Sequence, residues 1–441
     1  MISASKIRET SFWLLDRLKG ERVSRHYKEI AFIDQNLDSE QSAIQRSQYM
    51  HNILKHAVHT TPFYRQYKGY TSLTDFPVIQ KTKVQECFND FKSDTYLSQA
   101  KFRVHTSGST GIPFELFQDA NKKKRNTADT IYFLKKANFN IGERLYDLEV
   151  WRGINMNSPV KAWLQNLKYI DITEFHDEKI ESFLQSIKNK RYPQHFIGFA
   201  SAYEHICKYL DRTQASFFHT KIASILAISE TLTDYVKETM QKYFGVPVIS
   251  RYSNEEIGIM AQQTYDMYDK RFEINWSSYH FEILKMNQDV PAQLGELGRV
   301  VVTDFFNYCM PMIRYDTGDV ASFGANFGKN DIPSRYFERI EGRKMDIVYN
   351  TRGQVISSFI VYTKFYKYYN LLRQYQFVQV SANEYVVKLN TVSSFNFEKE
   401  LIDDIKKDFG QDAMIQIAYV DEIPALSSGK RKKVVNLYKS A

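Results

Sequence analysis

The chain has 441 residues, more than a single hydrophobic core ordinarily supports, so at least two domains are expected. Hydrophobic residues make up 43% and charged residues 25%, which excludes a disordered, collagen-like or fibrous chain. The 59 basic and 51 acidic residues leave a net charge of +8, suited to nucleotide substrates or weak attraction to anionic headgroups, and 3 scattered cysteines support neither a disulfide framework nor a zinc site.

A helical N-terminal region is predicted to about residue 60, its later apolar stripe formed by Ile53, Leu54 and Ala57. The opening residues lack the apolar stretch of a signal peptide, and nothing approaches the ~20 apolar residues that cross a bilayer. A cytoplasmic protein with at most weak peripheral membrane contact is expected. The next feature is the loop His105-Thr106-Ser107-Gly108-Ser109-Thr110-Gly111-Ile112-Pro113. Glycine permits turns that point several backbone N–H groups inward, so such a loop can surround phosphate oxygens. It is not a Walker loop, because only two residues separate Gly108 from Gly111 and no lysine follows. Taken alone, such a Ser/Thr/Gly cluster is most often a polar surface turn. Lys122-Lys123-Lys124-Arg125 precedes a helical pattern and reads as a solvated helix start. No zinc finger or RNA-binding signature accompanies it, so no nucleic-acid partner is expected.

From Phe102 strands and helices alternate. Trp151 and Arg152, in Glu149-Val150-Trp151-Arg152-Gly153, and Phe199 and Ala200, in Phe199-Ala200-Ser201-Ala202-Tyr203, are candidate walls of a substrate pocket, although core packing also suits Phe199. Residues 222 to 228 form an apolar strand, Leu232, Val236, Met240 and Phe244 recur at helical spacing, and 246 to 249 form the next strand. That order implies a parallel sheet, whose strand ends are the usual place for a nucleotide. Ser229 and Glu230 fall at such an end. In Arg251-Tyr252-Ser253-Asn254-Glu255-Glu256-Ile257-Gly258, Tyr252 can stack on a purine and Glu256 can hold a magnesium ion. In Met312-Ile313-Arg314-Tyr315-Asp316-Thr317-Gly318-Asp319, the Asp319 carboxylate is suited to accept both hydroxyl protons of a ribose.

Glu341-Gly342-Arg343-Lys344-Met345-Asp346 reads as a charged linker. Beyond it, strands at 374–380 and 385–389, a helix marked by Phe397, Leu401, Ile405 and Phe409, and a strand at 414–420 form a compact α+β unit. The unit ends in Ile423-Pro424-Ala425-Leu426-Ser427-Ser428-Gly429-Lys430-Arg431, where Lys430 could add one positive charge to a transition state gaining negative charge. The expected architecture is α/β: a large N-terminal domain over residues 1–341 with parallel-rich sheets and flanking helices, and a small mobile α+β C-terminal lid over 342–441.

These words in this order resemble the adenylate-forming superfamily of acyl-coenzyme A synthetases, adenylation domains and luciferases. The nearest likeness is to the branch of phenylacetate–coenzyme A ligase and the related capsular-polysaccharide biosynthesis proteins. His56-Ala57, Pro62-Phe63-Tyr64-Arg65, Phe76-Pro77-Val78 and Thr303-Asp304 before Asn307-Tyr308 carry that second resemblance. The resemblance implies an AMP-forming ligase that joins a carboxylic acid to AMP and then passes the acyl group to coenzyme A, an amine or a hydroxyl. It implies that Thr106, Ser107, Gly108, Ser109, Thr110 and Gly111 cradle phosphates, that Ser229 and Glu230 line the adenine side, and that Arg343 contacts ribose or phosphate. It assigns Lys430 and Glu256 to catalysis, the latter through magnesium. Phe114 stands where many members carry lysine, Ser253 where they carry glycine, and Met345 where the hinge is often Asp or Lys. A role in capsule or O-antigen biosynthesis, an aryl or acyl ligase of catabolism, and a non-catalytic nucleotide-binding scaffold all remain open, as does the oligomeric state.

Overall fold

The computed structural model describes residues 3–106, 114–151, 158–173, 175–215, 220–265, 270–324, 332–343, 348–356, 358–424 and 432–438. Three helices open the chain: α1 (Ala4–Leu18), α2 (Arg22–Gln35) and α3 (Glu40–Thr60). Ser3 and Ser39 cap α1 and α3 by accepting backbone amides three residues on. Ile53, Leu54 and Ala57 of α3 are buried, as their spacing predicts. A short helix α4 (Lys81–Glu86) precedes the antiparallel hairpin β1 (Phe102–Thr106) and β2 (Phe114–Gln118), and then α5 (Ala120–Lys136).

The alternating region follows as β3 (Arg144–Glu149), α6 (Pro159–Gln165), β4 (Leu167–Asp171), α7 (Asp177–Ile187), β5 (Gln194–Phe199), α8 (Ala200–Thr213), β6 (Ile222–Ile228), α9 (Asp234–Phe244) and β7 (Val248–Asn254). These strands form the parallel half of the large sheet, in the order β4-β3-β5-β6-β7. Helices α7, α8 and α9 cover one face with Phe183, Tyr203, Ile206 and Met240. Leu134 of α5 and Ala137, which follows it, pack with Leu226 and Ile249 on the other. Burial on both sides explains why β6 reads as an apolar run, broken only by the buried Ser224, whose Oγ is hydrogen-bonded to His195.

Strand β7 is where the sheet changes character. Its first half pairs in parallel with β6, and Arg251 to Asn254 pair antiparallel with β8 (Gly258–Gln262). The sheet continues through β9 (Phe272–Ile274), β13 (Tyr336–Arg343), β12 (Tyr315–Phe323), β11 (Gly298–Asp304) and β10 (Tyr279–Leu284), which lie next to one another in that order. A core of Trp276, Phe281, Phe305, Met312 and Phe337 joins this half to α3. The expected division between residues 341 and 342 falls inside β13.

One expectation is overturned here. Lys122 and Arg125 are both fully buried, not solvated. Lys122 pairs with buried Asp304 at 2.7 Å, and Arg125 reaches Ser278 Oγ, the Ser277 carbonyl and Glu29 while lying 4.0 Å from the Phe306 ring centroid. A charge is tolerated inside only when it is paired and hydrogen-bonded, and partners from three distant segments, around residues 29, 277–278 and 304–306, supply that. Burial raises the Asp304 carboxyl, and the Lys122 charge partly offsets it.

The C-terminal part holds a small hairpin, β14 (Val348–Tyr349) with β15 (Val355–Ile356), helix α10 (Ser358–Phe365), and a sheet of β16 (Leu372–Gln379), β17 (Glu384–Thr391), β18 (Met414–Tyr419) and β19 (Val434–Asn436) in the order β18-β17-β16-β19. Helix α11 (Glu398–Phe409) buries Leu401, Ile405 and Phe409 against Phe377 and Val387. The four elements predicted between residues 374 and 420 are all present. Among the described residues no helix is long and apolar enough to cross a membrane.

Candidate active site

Strands β1 and β2 pair so that Thr106 stands opposite Phe114. The hairpin therefore holds the two ends of the 107–113 segment side by side, although Ser107, Gly108, Ser109, Thr110 and Gly111 themselves lie outside the described residues. Phe114 is buried, its ring stacked on Tyr315 at 6.2 Å and 6°. At the other end of β2, Gln118 Nε2 donates to the carbonyl oxygens of Glu255 and Glu256 at 3.4 and 3.2 Å. The strand leaving the candidate phosphate loop is thus tied to both downstream words. No local pattern marks Gln118 for this role.

Tyr252 lies within β7 rather than after it, because the strand runs on to Asn254 through a bulge between Tyr252 and Ser253. Polar Ser253 and Asn254 disguise that extension. The Tyr252 hydroxyl donates to Asp319 Oδ2 at 2.8 Å and lies 3.4 Å from Thr317 Oγ1. Asp319 sits in β12, buried, directly after Gly318, whose φ of +78° suits a residue with no Cβ. Its own N–H donates to Thr317 Oγ1 at 3.2 Å. Arg343 stands opposite Asp319 in the β12–β13 ladder. Three residues from three separate words are brought together: a tyrosine ring, a carboxylate and an arginine position. Thr317, in the same word as Asp319, was legible as a hydroxyl but not singled out.

Glu256 is buried two residues past β7. Among the described residues no three His, Cys, Asp or Glu side chains cluster in a metal-holding arrangement. One carboxylate still suits magnesium, which is ordinarily held by one or two carboxylates together with substrate phosphates.

Ser229 is exposed at the carboxyl end of β6 with φ of +67°, a left-handed conformation costly for a non-glycine residue. The β6–β7 pairing ends with Ala227 opposite Ser250, two residues before Ser229 and Tyr252 respectively. The Glu230 carboxylate accepts the Ser201 amide at 2.8 Å and so holds the first turn of α8, where a negative charge complements the helix dipole. Phe199 and Ala200, at the β5–α8 junction, are buried. The half-buried Trp151 ring meets Tyr169 edge-on at 4.3 Å and donates through Nε1 to the Asp147 carbonyl at 3.1 Å. On the same face of β3, burial and the neighbouring Glu149 push the Asp147 carboxyl well above the usual range. Arg152 lies outside the described residues.

So do Lys430 and the Lys344-Met345-Asp346 segment. Lys433, three residues further on, is described: its ammonium pairs with Glu204 on α8. Lys208, one turn along α8, lies 3.2 Å from Glu204 Oε1 and donates to the Leu372 carbonyl of β16 at 3.2 Å. Burial alone would raise Glu204, but Lys433 and Lys208 hold it down at about 2. The C-terminal sheet is thereby docked on the helix that starts at the carboxyl end of β5. Sequence spacing offers no signal for a pair 229 residues apart.

Residues 348–437 match the model of the CapK C-terminal domain. Protein CapK of Staphylococcus aureus is 23% identical over 379 residues, covering 83% of this chain and 80% of that protein. Among solved structures, 2-hydroxyisobutyryl-CoA ligase in the postadenylation state superimposes with a TM-score of 0.69 at 16% identity, over 91% of this chain and 90% of that one. The chain has the adenylate-forming fold and a C-terminal domain of the CapK kind. ATP-bound MatB from Rhodopseudomonas palustris shares that fold more loosely, with a TM-score of 0.54 at 15% identity, over 75% of this chain and 66% of MatB. Tyr252, Asp319 and the Arg343 position lie in the antiparallel half of the large sheet next to where β7 changes its pairing, and the C-terminal sheet is docked on α8.

Proposed function

We propose that the protein is an ATP-dependent, AMP-forming ligase that activates a carboxylic acid as an acyl-adenylate and transfers the acyl group to a second nucleophile. The observation that carries this reading is the 2.8 Å contact of Tyr252 with Asp319, which stands opposite Arg343 in the β12–β13 ladder, while the hairpin that holds the 107–113 ends touches the same two words through Phe114 on Tyr315 and Gln118 on Glu255 and Glu256. A nucleoside needs an aromatic face for its base and a carboxylate for its ribose hydroxyls, and Tyr252 and Asp319 supply both. The Thr106–Gly111 loop receives the phosphates. Magnesium, when bound at Glu256, neutralises phosphate charge. Lys430 stabilises the charge that develops as the carboxylate oxygen bonds to the α-phosphorus and pyrophosphate leaves. The carboxylate thereby gains a good leaving group, AMP, which a thiol, amine or hydroxyl displaces in the second step.

The 2-hydroxyisobutyryl-CoA ligase of this fold was solved with 2-HIB-AMP and CoA, which supports coenzyme A as one acceptor. The resemblance to capsular-polysaccharide biosynthesis proteins, alongside the similarity to CapK, favours an amino-acid or sugar-linked acid used in capsule, exopolysaccharide or O-antigen biosynthesis. ATP–pyrophosphate exchange screened against amino acids, uronic acids and aryl acids tests the reading. Carboxylate-dependent exchange is expected with at least one class. AMP binding without exchange for any acid would instead mark a nucleotide-binding scaffold.

A further inference from the structure

Helix α1 carries apolar side chains on both faces. Ser5, Phe12, Trp13 and Asp16 turn inward. A Cβ at Gly142 would lie 2.5 Å from the Ser5 carbonyl oxygen, Phe12 and Trp13 pack on the cluster of α2 and α5, and buried Asp16 accepts the Val23 and Ser24 amides that begin α2. The opposite side presents Ile7, Ser11, Leu14 and Leu18 in one row, with Leu15 beside it, as their spacing along a helix requires. Ile7 is 55% exposed, Leu14 56%, Leu15 51% and Leu18 76%. A row of aliphatic side chains facing away from the core has no folding role and marks an interaction surface.

The charges around the row are cations. Lys6 and Arg17 flank it on one side, Arg8 and Lys19 on the other. With Arg22 they face only Glu9 and Glu21 over residues 6–22, apart from buried Asp16. The Lys6–Glu9 and Arg17–Glu21 pairs, at 2.8 and 3.7 Å, leave Arg8, Lys19 and Arg22 in excess. The Arg8 guanidinium also lies 5.8 Å from the ring of Trp163 on α6. There Trp163 and Leu164 are 68% and 49% exposed, and Lys161 and Lys168 stand with no acidic residue between 158 and 168.

We infer that α1, with Trp163 and Leu164 of α6, is a docking surface for an anionic lipid bilayer. Leu14, Leu18 and Ile7 enter the headgroup boundary, Trp163 sits at its edge, and the flanking lysines and arginines lie along the lipid phosphates, the arrangement of an interfacial helix. A second copy of the chain meets this face less well, because an isologous contact would bring two identical sets of cations together. The inference rests on elements outside the proposed catalytic machinery and stands independently of the ligase reading.

Co-sedimentation of the full chain with phosphatidylcholine vesicles, with and without phosphatidylglycerol, tests it. Binding is expected to the anionic vesicles, to weaken with salt, and to be slight on neutral ones. Leu14→Asp with Leu18→Asp should lower partition at least ~10-fold, and Arg17→Glu with Lys19→Glu about 5-fold or more per reversed charge. Thermal unfolding and pyrophosphate exchange should stay at wild-type values, since these side chains are exposed and distant in sequence from the site. The inference fails if the wild type ignores anionic vesicles, if both double variants bind as the wild type does, or if the leucine variant merely disperses a concentration-dependent dimer.

Discussion

At the scale of single residues, the account turns on a carboxylate oriented by a tyrosine hydroxyl. Asp319→Ala should raise KM for ATP ~10-fold or more, since each charge-assisted bond to a ribose hydroxyl is worth ~1.5–3 kcal/mol. Tyr252→Phe removes only the orienting 2.8 Å bond and keeps the ring, so a few-fold change is expected. Deoxy-ATP should be discriminated against by the wild type and not by Asp319→Ala; equal discrimination in both would reduce Asp319 to a structural role. Lys430→Ala should slow pyrophosphate exchange ~100- to 1000-fold with ATP binding unchanged, and an unaltered exchange rate would remove Lys430 from the chemistry. Tyr252 and Asp319 could be named as candidates because each sits in a short word whose residue types suit a nucleotide; Arg343 could be named only through the family resemblance, its own word reading as a charged linker. Lys122 and Arg125 were misread for the opposite reason. Their charge favours solvent, and only partners such as Asp304 and Glu29, invisible in the local sequence, bring them inside.

At the scale of elements, the C-terminal sheet is held to α8 by one carboxylate and two lysines. Glu204 titrates at about 2 against an ordinary 4.5. A carboxylate with a depressed folded-state value stabilises the structure fully above its unfolded value and loses that contribution as pH falls through the folded one. The docking should therefore be at full strength above about pH 5 and decay between about pH 4.5 and 2, with a difference of about 3 kcal/mol at stake. Glu204→Gln should be less stable at pH 7 and show a shallower loss over that acid window in denaturant titrations. Identical acid profiles for the two proteins would mean that Glu204 stabilises nothing. Elements with a strong period were legible: β6 as an apolar run, and α9 and α11 by helical spacing. The second half of β7 was not, because its pairing with β8 is made by backbone groups while its side chains, Ser253 and Asn254, are turn-like.

At the scale of the whole molecule, the order of the antiparallel half of the sheet lay beyond reach of the sequence. Strand β9 pairs with β13 across some sixty residues, and no local pattern encodes such a partner. The expected split into a large domain and a lid has a mechanistic consequence. A lysine at the α-phosphate and an acceptor at the same carbonyl cannot occupy one space, so the lid is proposed to rotate about the 343–346 segment between the two half-reactions. Met345→Pro fixes φ and removes an N–H at that pivot, and should impair one half-reaction far more than the other. Equal losses in adenylate formation and acyl transfer would contradict a rotating lid.

The central claim is that the substrate carboxylate attacks the α-phosphorus of ATP. Once pyrophosphate exchange has identified an acid, that acid carrying oxygen-18 in its carboxylate should be turned over with ATP and an acceptor, and the products read by mass spectrometry. The account predicts one labelled oxygen in AMP and none in pyrophosphate. Label appearing in inorganic phosphate with release of ADP, or AMP formed without label, would contradict it.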